Sequence, residues 1–121
     1  MKTWDDWSDE AIDVKVTRIV FGCSGWAVTS DANKLCRFDE NNRLLYTQEV
    51  IKYCNSWANI GQILLDKGIG MVAENGKLIG ATTSSQQYYE PYGDTIYSHD
   101  HVNPLRAAAI VFLMMNGVNP E

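Results

Sequence analysis

The chain reads as an α+β domain, and three observations carry that reading. An almost wholly apolar, capped segment runs from Asn103 to Asn116, an Asn75-Gly76 pair stands between two apolar runs, and Ser8 opens a stretch of helical periodicity. They predict a small antiparallel sheet with an N-terminal helix, a middle helix and a buried C-terminal helix packed on one sheet face. A chain of 121 residues suffices for one core, so residues 1–121 are expected to form a single domain.

The first helix is expected from Asp9 to about Phe21. Ser8 supplies the cap, Asp9 and Glu10 sit at the positive end of the dipole, and Gly22 suits a left-handed stop. Trp7 and Ile12 have the spacing of a hydrophobic staple, and Ile12, Val16, Ile19 and Val20 share one face. Strands are expected at Trp26–Thr29, Leu35–Phe38 and Leu44–Tyr46, with turns at Ser30–Lys34 and Asn41-Asn42. Asn55 or Ser56 caps a second helix whose Ile60, Ile63 and Leu64 face inward and which ends at Lys67-Gly68.

Asn75-Gly76 then predicts a hairpin, because a type I′ turn needs two positive φ values. The tyrosine-rich stretch from Thr82 to Asp94, broken by Pro91 and Gly93, reads as a surface connection, and Ile96-Tyr97 as a short strand. Asn103 caps the closing helix, with Pro104 in its first turn, where a missing N–H costs nothing. The sheet is expected to hold about four to six short strands.

Composition narrows the function classes. Hydrophobic residues make up 45% of the chain and charged ones 21%, which excludes a disordered segment. The net charge is −5 and the basic residues are scattered, Lys34, Arg37 and Arg43 being the only loose grouping. No stripe is present to neutralise phosphates, so nucleic acid is disfavoured as a partner. Cys23, Cys36 and Cys54 are odd in number and form no C-x-x-C pair, so free thiols in a reducing cytoplasm are expected. Met1-Lys2 leads directly to Trp4-Asp5-Asp6-Trp7, with no apolar leader. The longest apolar run, Ala107–Met115, falls well short of the ~20 residues a bilayer needs, so no membrane partner is expected.

Two stretches go beyond pattern: Tyr53-Cys54-Asn55-Ser56-Trp57-Ala58-Asn59, followed by Ile63-Leu64, and Asn103-Pro104-Leu105-Arg106-Ala107-Ala108 through Ile110-Val111-Phe112-Leu113-Met114-Met115. Together they resemble the NinX-like family of small phage and prophage proteins, and the similarity covers most of residues 50–116. The family carries an acidic residue where this chain has Asn59, and a proline where it has Gln62. The resemblance implies origin in a tailed phage or prophage and action in the bacterial cytoplasm. It implies no catalytic residue, because the family has no assigned biochemical role.

Several constellations carry possible chemistry. Gly68-x-Gly70-x-x-Ala73 has the letters of a dinucleotide fingerprint, yet it ends a helix and opens a hairpin where the motif needs a strand followed by a helix. No cofactor is therefore expected. His99 and His101 would project to one side of a strand and are weak candidates for a metal, with Glu90 or Asp94 as a third ligand. The alternative is that they are polar residues leading into the Asn103 cap. Cys54, beside a helix start, is either an activated thiol or a buried one, and burial is the commoner fate of cysteine. Arg106 sits in the first turn of an apolar helix, where the dipole repels a cation, so pairing with Asp100 or another carboxylate is expected, or an anion held there.

Partner binding is the remaining class. Trp57 and Asn59 at the second helix start, with Tyr88, Tyr89 and Tyr92 among Ser84, Ser85, Gln86 and Gln87, resemble an aromatic anchor and an adaptable Tyr/Ser loop. The expected function is a phage accessory protein that binds an unidentified host or phage protein without catalysis. The rivals are a metal-binding protein or enzyme centred on His99 and His101, and a recombination accessory protein that touches DNA. The apolar closing helix also raises homo-oligomer formation through its surface.

Overall fold

The computed structural model describes residues 2–83 and 97–121. Helix α1 spans Asp9–Phe21, and both its ends follow from the sequence: Ser8 Oγ accepts from the Ala11 N–H at 3.0 Å, and Gly22 adopts φ 67°. A 3-10 turn at Trp4–Asp6 precedes it and buries Trp4, whose ring lies 5.1 Å from that of Trp7. Ile12 and Val16 of α1 are fully buried in the main core, with Ile19 packed against them in part.

Among the described residues six strands form, and they divide into two sheets where one was expected. β1 (Ala27–Val28), β2 (Lys34–Phe38) and β3 (Leu44–Glu49) make one antiparallel sheet in that order. β4 (Gly70–Glu74), β5 (Lys77–Thr82) and β6 (Ser98–Asp100) make the other, also antiparallel. α2 (Trp57–Lys67) separates β3 from β4 along the chain. Asn75 and Gly76 take φ 53° and 78°, the pair of positive values that a type I′ turn requires.

β5 runs further than the sequence suggested. Thr82 belongs to the strand, and Thr82 and Thr83 are buried, so the surface connection does not begin at Thr82. β6 pairs Ser98 with Thr82 and Asp100 with Gly80, which places the expected Ile96-Tyr97 strand slightly later; Ile96 itself lies outside the described residues. A side chain at Gly80 would collide with the His99 carbonyl oxygen and the Asp100 backbone, so only glycine lets β6 approach.

α2 starts on Ser56, whose Oγ accepts from Asn59 N at 3.3 Å, and stops at Gly68 with φ 66°. Gln62 stands inside this helix, which begins at Trp57. Ile60 and Ile63 are buried and Leu64 only partly.

Helix α3 spans Pro104–Met115, and every residue from Leu105 to Leu113 is buried. It packs on β4, β5 and β6 on one side and meets α1 and α2 on others. The all-round apolar character of α3 is thus met inside one chain. A smaller cluster of Val14, Cys23, Leu35 and Val50 joins α1 to the first sheet, whose Phe38, Leu44, Leu45 and Tyr46 are exposed.

Candidate functional site

The polar side chains that the sequence singled out converge where α3 begins. Asn103 Oδ1 accepts from the N–H groups of Leu105 at 3.0 Å and Arg106 at 3.3 Å, the capping geometry for orphan donors. Its Nδ2 donates to the Cys54 carbonyl at 2.8 Å. One asparagine therefore closes the helix start and pins it to the 3-10 turn at Tyr53–Asn55.

Arg106 is buried and points back across the molecule. Its Nη1 donates to Asp9 Oδ1 at 2.7 Å, and its Nη2 to the Trp4 carbonyl at 2.7 Å and the Trp7 carbonyl at 2.6 Å. The pairing partner is thus Asp9 and not Asp100, because the buried helix start faces the N-terminal segment while Asp100 lies exposed on β6. A guanidinium suits this place because its planar fork meets three acceptors at once, which an ammonium cannot do with fixed geometry. Asp9 also sits in the first turn of α1, where the helix dipole favours its charge.

A second pair of α1 side chains holds the chain before α2. Asp13 Oδ1 accepts from the Cys54 N–H at 2.9 Å, and Thr17 Oγ1 accepts from the Ile51 N–H at 3.0 Å. Asp13 is almost fully buried, and that desolvation raises its carboxyl above the ordinary range against the lowering effect of the Cys54 N–H. Neither residue was singled out in the sequence. The available signal was a polar pair four residues apart, Asp13 and Thr17, directly beside the apolar face of Ile12 and Val16.

Cys54 belongs to this junction, not to a reactive centre. Its side chain is fully buried, and desolvation first, then the Asp13 charge, push its thiol strongly upward. That is the reverse of what a nucleophile needs, since the thiolate is the reactive form. The burial reading of this residue holds.

The two histidines do not share a task. His101 Nδ1 accepts from the Asn103 N–H at 2.9 Å, which places its proton on Nε2, and the His101 N–H donates to the Ile79 carbonyl at 2.8 Å. His99 is half-buried, its imidazole pKa lowered by burial and then by the neighbouring His101, and its Nε2 has no partner among the described residues. Among the described residues no three His, Cys, Asp or Glu side chains are placed to hold a metal, and Glu90 and Asp94 lie outside them. A shallow, open depression over the junction is lined by Asp5, Trp7, Asp9, His101, Asn103 and Arg106, but its one cation is already matched by Asp9.

Of the partner-binding candidates, Trp57 stands 51% exposed and Asn59 is exposed at the start of α2. Asn59 donates from its side chain to the Lys52 carbonyl at 3.3 Å, so it trims the helix entry. Leu65, two turns beyond Trp57, is 81% exposed. Between them, Gly61 has open space where a Cβ would stand. Tyr88, Tyr89 and Tyr92 lie outside the described residues. No helix among the described residues is long and apolar enough to cross a membrane. Comparison with family models, curated proteins and solved structures finds no match to this chain.

Proposed function

We propose that the chain is a non-catalytic, protein-binding accessory module of a phage or prophage, acting in the bacterial cytoplasm on a host or phage protein. One observation carries the reading. Asp9, Asp13, Asn103 and Arg106 are engaged through their side chains, and Cys54 through its backbone, in holding α1, the Tyr53–Asn55 turn and α3 together. The aromatic and aliphatic side chains of α2, in contrast, are left facing outward at Trp57 and Leu65. A half-exposed tryptophan is a residue type that interface hot spots favour, and Leu65 stands bare two turns further along the same helix. The phage setting rests on the resemblance of residues 50–116 to the NinX-like family.

Trp57→Ala and Leu65→Ala leave the buried junction untouched and serve as the test. Captured from phage-infected cells by covalent cross-linking, the unaltered chain is expected to retain a discrete partner that both variants lose. A partner retained equally by all three would place the binding surface elsewhere.

A further inference from the structure

A groove runs between α1, β1 and the tail after α3. Trp7, Ala11, Val14, Val28, Ala32 and Val118 give it an apolar lining. The charges along it are segregated by sign. Glu10 stands toward the start of α1, where Glu121 lies close to Ser8 and Ala11, whereas Lys15 and Arg18 stand toward its end. None of these four side chains has an ion-pair partner within 4.0 Å among the described residues.

The backbone of one wall is also open at Val28. Thr29 N–H donates to the Lys34 carbonyl at 2.9 Å, while the Thr29 carbonyl accepts from the Ala32 N–H at 2.9 Å and closes the hairpin. Val28 and Leu35 are the next pair in the antiparallel ladder and must be of the non-bonded kind, which turns the Val28 N–H and C=O away from β2. Trp26 has the same parity as Val28, and its carbonyl is indeed taken from the α1 side, by Arg18 Nη2 at 2.7 Å. The outward groups of this edge therefore face α1, and at Val28 they face the groove.

We propose that this groove takes an extended apolar segment of a partner protein, pairing antiparallel with β1 at Val28 and carrying a cation at its N-terminal end and a carboxylate at its C-terminal end. The Trp26 carbonyl meets Arg18 and Val28 follows it into the groove, so we place β1 as returning along α1 and a segment antiparallel to β1 as running parallel to α1. Its N-terminal end then meets Glu10 and Glu121, and its C-terminal end meets Lys15 and Arg18. Eight residue steps from Glu10 to Arg18 cover roughly 12 Å of helix, the length of about four extended residues. Strand addition supplies affinity through the backbone, and the charged ends set the direction. The surface is separate from α2, so it stands independently of the Trp57 reading.

The probes are the capped peptides acetyl-Lys-Val-Thr-Val-Glu-amide and its reversal, acetyl-Glu-Val-Thr-Val-Lys-amide, titrated into the ¹⁵N-labelled full chain. The first is expected to move the amide signals of Val14, Val28 and Ala32 and to bind about tenfold more tightly than the second. The charge-swapped variant Glu10→Lys/Lys15→Glu, which leaves Glu121 and Arg18 in place, brings the ratio to about one, Lys15→Gln alone lowers it part of the way, and Trp57→Ala changes neither affinity. Signals that stay still at Val14, Val28 and Ala32, equal affinity for the two peptides, or an order that survives the charge swap would each overturn the proposal.

Discussion

The side-chain amide of Asn103 donates to the Cys54 carbonyl at 2.8 Å while its oxygen caps α3 through Leu105 and Arg106. Two segments 49 residues apart in the chain are tied by one residue with both a donor and an acceptor. Asn103→Asp keeps the cap and loses the donor, whereas Asn103→Ala loses both. Loss of a cap costs about 1 kcal/mol and a buried carbonyl left unpaired roughly 1–3 kcal/mol. Urea unfolding should rank the native chain above Asn103→Asp and Asn103→Asp above Asn103→Ala.

Asp13 makes stability depend on pH. Its folded pKa is raised above the unfolded value by burial, so its contribution is fully present below the unfolded value, near 3.8, and is lost as pH rises through the raised folded value. Asp13→Asn keeps an oxygen for the Cys54 N–H and removes the buried charge. The variant's stability relative to the native chain should therefore improve on going from about pH 4 to pH 7. Paired urea titrations at the two pH values measure the difference, and a gap that does not change with pH would remove the assignment.

The three thiols should differ in reactivity. Cys54 is fully buried with a thiol pushed upward, Cys23 is buried, and Cys36 is only half-buried on β2. Under native conditions Ellman's reagent should modify Cys36 first, with Cys23 and Cys54 reacting only as the chain unfolds. Mass spectrometry of the partly modified protein identifies the sites. Early modification of Cys54 would mean that the junction opens readily.

Much of the fold was legible because local rules and packing agree. Ser8 and Gly22 mark the ends of α1, Ser56 and Gly68 those of α2, and Asn75-Gly76 the hairpin; each is a backbone requirement that few residue types meet. The division into two sheets was not legible, because strand pairing is a long-range choice that alternation and turn residues within each strand do not encode. The junction was half legible. Arg106 in an apolar first turn demanded a carboxylate, but Asp9, 97 positions away, could be chosen over Asp100 only by tertiary contact. Asp13 and Thr17 stayed hidden because polar residues beside an apolar helix face are ordinarily solvated.

That the reactive side chains serve architecture is tested most directly by a double-mutant cycle on Asp9 and Arg106, read by urea unfolding. Arg106→Met removes a buried cation together with its three hydrogen bonds and should cost about 3–5 kcal/mol. Asp9→Asn should cost less, because the Asp9 side chain is 37% exposed and water screens part of its charge. The predicted result is a coupling of about 1–2 kcal/mol between the two positions, with both variants folded. Two small, strictly additive effects would mean that Arg106 is held in reserve for a ligand, and would contradict a structural junction at the start of α3.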